Sequence, residues 1–191
     1  KKLNIDPSCL LIGSFQKDGI GWGSGNQPKM IKGPDIFLKV MGALKDKYPE
    51  LSVLLTGPAR GYVKLGLEAM NIKYYHFKLK DYSDISSFYQ ALDLYLVASR
   101  EEGGPRSILE SMASGVPLVT TRVGQAMDLV ENNKNGWIVD NEDTEALVHC
   151  SKLAIDMGED LERILVNARE TAKQNSYAAQ EPLWRNFMKG F

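Results

Sequence analysis

Two glutamates at a fixed spacing are the residues of this 191-residue chain whose types best fit a chemical role. Glu102 and Glu110 are separated by seven residues. A carboxylate accepts hydrogen bonds from two hydroxyl groups at once, so each glutamate suits a vicinal diol. We expect Glu102 in a strand-to-helix loop and Glu110 in the second turn of the next helix, where the two carboxylates can contact two parts of one ligand.

The residues between the glutamates favour an anionic or hydroxylated ligand at the start of that helix. The first backbone amides of a helix have no partners within it and lie at the positive end of its dipole. Those amides fall near Gly104, Arg106 and Ser107, and Pro105 is tolerated there because its missing N–H would be unpaired anyway. The alternative is a surface ion pair, because Arg106 and Glu110 are four residues apart on a helix.

These side chains need a scaffold, and short apolar runs that alternate with helical patterns indicate an α/β sheet. The predicted strands are Cys9–Ile12, Leu51–Leu55, Lys73–Phe77, Leu94–Val97, Val116–Thr120 and Trp137–Val139. One predicted helix begins at Pro34, one spans Tyr62–Met70, one begins with Ser83 or Asp84 as its cap, and one ends at Ser114. The remaining helical segments are 143–174, with a break near Gly158, and Tyr177–Phe191. Right-handed crossovers then give a three-layer, Rossmann-like, doubly wound parallel sheet of about six strands, which binds ligands at the carboxyl ends of its strands.

The segment Ser99–Pro117 resembles a family signature in which two glutamates separated by seven residues are followed by small residues and Gly-x-Pro. The family is the group 1 family of retaining glycosyltransferases, which have the two-domain GT-B architecture. The resemblance covers about residues 8–175 and implies that the chain is the C-terminal, donor-binding domain of such an enzyme. It implies that Glu102 is catalytic and contacts the donor sugar, that Gly103 and Gly104 let the backbone approach it, and that Glu110 holds the nucleotide ribose.

The pair Lys32-Gly33 precedes the helix at Pro34, where the family has a Lys-Gly pair. The resemblance implies that Lys32 is a second catalytic residue, whose ammonium neutralises the leaving diphosphate. A solvated loop lysine is the alternative. The remaining donor-binding residues that the resemblance implies lie at strand ends and at the helix start: Gly13, Ser14, Lys17, Gly57, His76, Phe77, Lys78, Pro105, Arg106 and Ser107.

The loop after the first strand departs from the family pattern. The chain has Gly13-Ser14-Phe15 where the family usually has Gly-Arg, so Lys17 is the candidate substitute for the arginine that binds phosphate. The stretch over residues 18–27 carries alternating glycines, which fits either a flexible lid over the donor or a mere insertion. It does not form a dinucleotide fingerprint, because no helix follows at the needed offset, and this counts against a nicotinamide-binding module.

Composition excludes several other classes of protein. The chain has 23 Lys and Arg against 24 Asp and Glu, a net charge of -1 and 43% apolar residues, which argues against nucleic-acid binding and against disorder. No apolar run approaches the roughly 20 residues of a membrane span. Cys9 and Cys150 lie far apart and no signal peptide is visible, which predicts reduced thiols and a cytoplasmic protein. Neither an Asp-x-Asp motif nor a cluster of metal ligands occurs, so we expect no metal ion and no cofactor besides the donor substrate.

The sequence as a whole predicts one domain over residues 1–191 of a metal-independent glycosyltransferase, of hexosyltransferase type, that works in glycan biosynthesis. It transfers a sugar from a nucleoside-diphosphate sugar with retention, and its acceptor-binding N-terminal domain is missing from this chain, which is therefore expected to be inactive alone. Residues 176–191 are expected to form the helix that crosses to that domain, and any peripheral membrane association would come through the missing domain alone. The alternatives are another GT-B enzyme, either a sugar phosphorylase or a nucleotide-sugar epimerase, and a non-catalytic nucleotide-binding module.

Overall fold

A computed structural model describes residues 3–190. Residues 1 and 2 of the predicted domain and residue 191 of the predicted last helix lie outside the described residues. The strands are β1 (Leu11–Phe15), β2 (Ser52–Thr56), β3 (Lys73–Phe77), β4 (Leu94–Val97), β5 (Leu118–Thr121) and β6 (Trp137–Val139). The helices are α1 (Pro34–Lys45), α2 (Gly61–Ala69), α3 (Ile85–Tyr89), α4 (Arg106–Ser114), α5 (Ala126–Leu129), α6 (Thr144–Asp156), α7 (Leu161–Gln174) and α8 (Tyr177–Met188).

The six strands form one parallel sheet in the order β3-β2-β1-β4-β5-β6. The order reverses between β1 and β4, which is the topological switch point where such sheets bind ligands. Helices cover both faces. One apolar core joins the sheet to α1, α2 and α6, and the second joins it to α3, α4 and α7. The predicted three-layer, doubly wound fold is confirmed.

Several predicted boundaries were wrong by one to three residues. The first strand was predicted to stop before Gly13, but β1 continues to Phe15 because it pairs along its whole length with β2. Gly13 lies inside the strand, and a Cβ there would lie 2.2 Å from a methyl group of Leu92, whose side chain would have to move. The fifth strand begins at Leu118 and not at Val116, because Pro117 has no N–H to donate to the sheet.

The helix before β4 is preceded by a capped turn. Asp84, one of the two predicted cap residues, is the N-cap residue of α3, although its side chain makes no capping hydrogen bond. Asp81 caps the turn before α3, since the Asp81 carboxylate accepts a hydrogen bond of 2.9 Å from the backbone N–H of Ser83. A 3-10 turn over Tyr82–Asp84 follows, and α3 then ends at Tyr89. The resulting short connection places Tyr82 and Tyr89 near the carboxyl edge of the sheet, where both contact Glu110.

Candidate functional site

Gly33 brings the loop before α1 against the end of β4. Its φ of 62° is left-handed, and a Cβ at this position would lie 1.8 Å from the carbonyl oxygen of Ala98. Only glycine fits a position with both properties. The contact is reinforced because the backbone N–H groups of Arg100 and Glu101 donate to the carbonyl of Ile31, at 2.8 and 3.1 Å. Residues 30–33 and 98–101 therefore form one packed unit at the switch point.

This packing joins the two predicted catalytic residues. The Lys32 ammonium donates to Oε1 of Glu102, and the two side chains are only 21% and 15% exposed. The hydroxyl of Ser99 donates to the same oxygen at 3.1 Å. The Gln16 amide fixes the other side of the lysine by donating to its backbone carbonyl at 3.1 Å. The pair presents one cation and one carboxylate at the carboxyl edge, where a charged ligand reaches both.

A second ion pair, which the sequence did not indicate, supports this one. Arg100 binds Asp35 in bidentate fashion, with both distances 2.8 Å, and it also donates to the Met30 carbonyl at 2.8 Å and to Glu142 at 2.6 Å. The hydrogen bonds from Arg100 hold the pKa of Asp35 below its ordinary value, and those to Asp35 and Glu142 raise the pKa of Arg100. Arg100 thus ties the start of α1 to the loop that carries Glu102.

Glu110 is held by two tyrosines at the wall of a cavity. The hydroxyl of Tyr82 donates to Oε1 at 2.7 Å and that of Tyr89 to Oε2 at 3.1 Å. Burial and the hydrogen bond to Glu110 raise the pKa of Tyr82 to about 12, and burial is the main cause that raises the pKa of Tyr89. Both carboxylate oxygens of Glu110 therefore accept hydrogen bonds from tyrosines, and the alternative pairing with Arg106 does not hold them.

The cavity, which we call the edge cavity, has a volume of about 390 Å³. It is lined by Phe15, Gln16, Lys17, Thr56, Gly57, Pro58, Lys78, Leu79, Tyr82, Ile85 and Glu110. Four of these are predicted donor-binding residues, namely Lys17, Gly57, Lys78 and Glu110. The edge cavity combines two cationic side chains and one carboxylate with apolar walls, as a ligand with a phosphorylated and an aromatic part requires.

Four further predicted residues serve the walls of the site or the core. His76 Nε2 donates to the Gly57 carbonyl at 2.7 Å, and burial lowers the pKa of this imidazole. Phe77 packs against Phe88, with ring centroids 5.4 Å apart. Ser14 is buried, and its hydroxyl accepts a hydrogen bond from Arg60. Gly13 lies inside β1 as described above. The structure does not bring Gly13, Ser14 or Phe77 into the lining of the edge cavity.

The glycines after Glu102 lie between two loops. The carbonyl of Gly103 accepts a hydrogen bond of 3.1 Å from the backbone N–H of Gln125. A Cβ at Gly104 would lie 2.6 Å from the Gln125 side chain, whereas a Cβ at Gly103 would point into open space. Pro105 is the N-cap residue of α4, and no side chain caps this helix. The amides of Arg106 and Ser107 at its first turn are thus left for a ligand or water.

A buried arginine, which the sequence analysis also missed, organises the loops after β1 and β2. Arg60 is 1% exposed, and its Nη1 donates to the carbonyls of Ser14, Gln16 and Thr56 at 2.6, 2.9 and 2.9 Å. Its Nε lies 3.0 Å from a carboxylate oxygen of Asp18, which is buried too. Burial raises the pKa of Asp18 and lowers that of Arg60. This pair fixes the backbone on either side of Lys17.

The glycine-rich stretch is anchored at its base. Gly19 and Pro28 form an isolated antiparallel bridge, and Ile20 N–H donates to the Gln27 carbonyl at 2.9 Å. The loop also caps α2, because the amides of Gly61 and Tyr62 donate to the carbonyls of residues 24 and 25, at 2.8 and 2.9 Å. The base of this loop is therefore fixed to the rest of the fold.

Within residues 3–190 no group of three or more His, Cys, Asp and Glu side chains is placed to hold a metal ion. In the same range no helix is long and apolar enough to cross a membrane.

The fold is that of a domain of the glycosyltransferases with GT-B architecture. The chain superposes on Anabaena HepE in complex with UDP-glucose with a TM-score of 0.70 and 24% identity, over 87% of this chain and 44% of that one. It also superposes on the C-terminal domain of the group 1 glycosyl transferase LpcC from Francisella tularensis, with a TM-score of 0.69 and 20% identity, over 86% of this chain and 84% of that one. At these identities the likeness shows the fold.

The family follows from the sequence match. Residues 24–171 match the family described as Glycosyl transferases group 1, and the chain belongs to that family. A curated relative is the lipopolysaccharide core biosynthesis mannosyltransferase LpsB of Rhizobium meliloti (strain 1021), which is 28% identical over 195 residues. That match covers 95% of this chain and 51% of the relative, so the chain spans about half the length of a protein it resembles. The predicted family is confirmed.

Proposed function

We propose that this chain is the donor-binding domain of a metal-independent, retaining glycosyltransferase of hexosyltransferase type. The observation that carries the proposal is the Lys32–Glu102 ion pair, which lies at the switch point of the sheet and on the same edge as the Glu110-lined edge cavity. A nucleoside-diphosphate sugar has three parts with matching chemistry. Its ribose and hexose carry diols for carboxylates, and its diphosphate carries charge for ammonium groups.

The edge cavity is the proposed site of the nucleoside. Glu110 accepts the ribose hydroxyls there, in exchange for or in addition to the hydroxyls of Tyr82 and Tyr89. The diphosphate lies toward Lys17 and Lys78, which line the same cavity. Crystal structures of Anabaena HepE are complexes with UDP, with UDP and glucose, or with UDP-glucose, which supports a uridine nucleotide as the first ligand to test.

The reaction step is assigned to the opposite end of the ligand. Glu102 accepts hydroxyls of the donor sugar, while Lys32 turns from Glu102 toward the diphosphate. When the glycosidic C–O bond breaks, the bonding electron pair stays on the diphosphate, and the ammonium of Lys32 together with the first amides of α4 stabilises that charge. These groups do the electrostatic work that a divalent cation does in other transferases, which is why we propose transfer without a metal ion.

The acceptor site is proposed to lie on a second domain. The last helix, α8, exposes Leu183, Trp184, Phe187 and Met188, each between 58% and 62% exposed. Such an apolar patch on one helix is typical of an interface. We propose that α8 packs against the acceptor-binding domain, and that the 191-residue chain alone binds the donor and transfers little or no sugar.

Calorimetric titration of this chain with UDP, GDP and ADP tests the proposal, with NAD as a control ligand. We expect one diphosphate to bind and Glu110→Ala to weaken it about tenfold or more, because a hydrogen-bonded carboxylate is worth about 1.5 to 3 kcal/mol. Leu153→Ala, a change at an exposed residue of α6, is the matched control and should leave the affinity unchanged. Binding of NAD alone, or equal affinity of wild type and Glu110→Ala, would contradict the proposal.

The assay of catalysis separates the remaining alternatives. A full-length protein that contains this domain should lose transfer when Glu102 is changed to Ala. Phosphorolysis of a sugar, or epimerisation of the donor without an acceptor, would identify another enzyme with GT-B architecture instead. Full activity of Glu102→Ala would identify a nucleotide-binding module in which this carboxylate has no chemical role.

A further inference from the structure

We propose that Trp22, at the tip of the glycine-rich loop, is a positioning residue that holds Lys17 for the diphosphate of the nucleotide. The inference rests on the proposed function and adds to it a residue of this loop that is named in no role above. It also explains how this chain supplies a cation beside β1, although the end of that strand, Gly13-Ser14-Phe15, carries no basic side chain.

The contact itself is direct. The Lys17 ammonium lies 3.7 Å from the centroid of the Trp22 ring, within the range of a cation–π interaction. Lys17 also lines the edge cavity, together with Lys78 and Glu110. The ring therefore meets the lysine at the side of the site where we place the diphosphate. A lysine ammonium has three N–H donors, so contact with one ring leaves it able to bind an anion.

The base of the loop that carries this ring is anchored. The segment over residues 18–29 returns on itself, since Lys29 N–H donates to the Asp18 carbonyl at 2.7 Å next to the Gly19–Pro28 bridge. Gly25 has a φ of 75°, and a Cβ there would lie 2.1 Å from the backbone of Ala59. The loop is thus packed on the end of β2 and on the cap of α2, and its position relative to Lys17 is defined.

The tip, in contrast, is open. Added Cβ atoms at Gly21 and Gly23 would meet no neighbour within 4 Å, and Trp22 between them is 81% exposed. A tryptophan at such a position buries little surface in the fold, so its contribution to stability is small. Among residues 3–190, the charged group that lies over its ring is the Lys17 ammonium. Lysine loses much rotamer freedom when it binds a ligand, and a ring that restricts the side chain beforehand reduces that loss.

The test uses ligands that differ in the diphosphate. We would titrate the 191-residue chain with UDP, with uridine, which has the same base and ribose without phosphate, and with pyrophosphate, which has no base. Trp22→Leu removes the ring. We expect about two- to fivefold weaker binding of UDP and pyrophosphate, the range of an exposed cation–π contact, and unchanged binding of uridine.

Three variants make the readout specific. Trp22→Phe keeps an aromatic face and should retain most of the affinity for UDP. Ile20→Ala alters another exposed apolar residue of the same loop and should have no effect. Lys17→Met should weaken UDP, and Trp22→Leu should cause no further loss when it is added to Lys17→Met, because the two residues act through one ammonium.

The outcomes separate this inference from the function on which it rests. If wild type binds UDP and Trp22→Leu binds it equally well or more tightly, the positioning role is overturned and the donor-site proposal stands. Equal losses of UDP and uridine would overturn it too, because they would indicate a general effect of the loop. If wild type binds neither a nucleoside diphosphate nor pyrophosphate, both proposals fail.

Discussion

Replacing Arg60 by methionine should destabilise the fold far more than the same change at an exposed arginine. Arg60 is 1% exposed and connects three backbone carbonyls to the buried carboxylate of Asp18. Methionine fills much of the same volume but leaves Asp18 buried without a cation. The change therefore tests whether a buried charge pair holds the loops after β1 and β2 together.

The expected loss in free energy of unfolding is about 3 to 5 kcal/mol, the usual result when one partner of a buried ion pair is removed. Protonation of Asp18 limits the loss, since burial already raises the pKa of this carboxyl and Arg60 opposes that rise. A carboxyl whose pKa is higher in the folded state stabilises the fold at low pH, and that contribution is lost as pH rises through the folded-state pKa. The deficit of Arg60→Met should thus shrink as pH falls from 7 to 5.

Urea unfolding followed by circular dichroism and by the fluorescence of the buried Trp137 measures the effect. Arg122→Met is the matched control, because Arg122 pairs with Asp140 at 2.9 Å while their side chains are 50% and 79% exposed. An exposed pair of this kind contributes about 0 to 1 kcal/mol. Arg60→Met and Arg122→Met with equal costs, or a deficit that grows as pH falls, would refute the reasoning.

Three further predictions concern the framework of the site. Gly33→Ala should lower the thermal unfolding temperature by several degrees, because a Cβ there meets the Ala98 carbonyl at 1.8 Å and φ is 62°; Gly23→Ala, with open space around it, should change little in the same scan. Burial lowers the pKa of His76, so the imidazole binds a proton more strongly in the unfolded chain than in the folded one, and the free energy of unfolding falls as pH drops below about 6.5. Urea titrations at several pH values should show a smaller fall for His76→Gln. Arg100 lowers the pKa of Asp35, so the ionised carboxylate stabilises the fold above about pH 4, and this contribution is lost as pH falls further. The free energy of unfolding of Asp35→Asn, measured in urea at several acid pH values, should therefore depend less on pH than that of the wild type.

The sequence was sufficient to predict the sheet, because its signals are local. Each buried strand is a short apolar run, and the helix ends carry residues whose backbone angles suit those positions. Pro34 begins α1, and Gly115, whose φ is 69°, follows α4. The errors in strand limits arise where pairing with a neighbour decides the end of a strand. No local pattern could show that Gly13 lies against Leu92.

The supports of the site could not be predicted, since they depend on contacts between residues that are distant in sequence. Arg100 and Asp35 are 65 residues apart, and neither is distinguished by its immediate neighbours. Arg60 could not be singled out by residue type, because arginine is almost never fully buried unless it is paired, and its partner Asp18 lies in a different loop. The exposed tryptophan of the glycine-rich loop was visible in the sequence, but its contact with Lys17 required coordinates.

The cap on α2 makes the glycine-rich loop part of the electrostatics of this edge. The carbonyls of Ser24 and Gly25 accept hydrogen bonds from the amides of Gly61 and Tyr62. The chain itself thus supplies the acceptors for the positive end of this helix, and these two amides are not available to an anion. The loop cannot be trimmed as a surplus insertion, since its removal would expose those two donors and leave Arg60 without Asp18. Engineering that shortens this region therefore has to replace a helix cap and a counter-ion along with the residues it deletes.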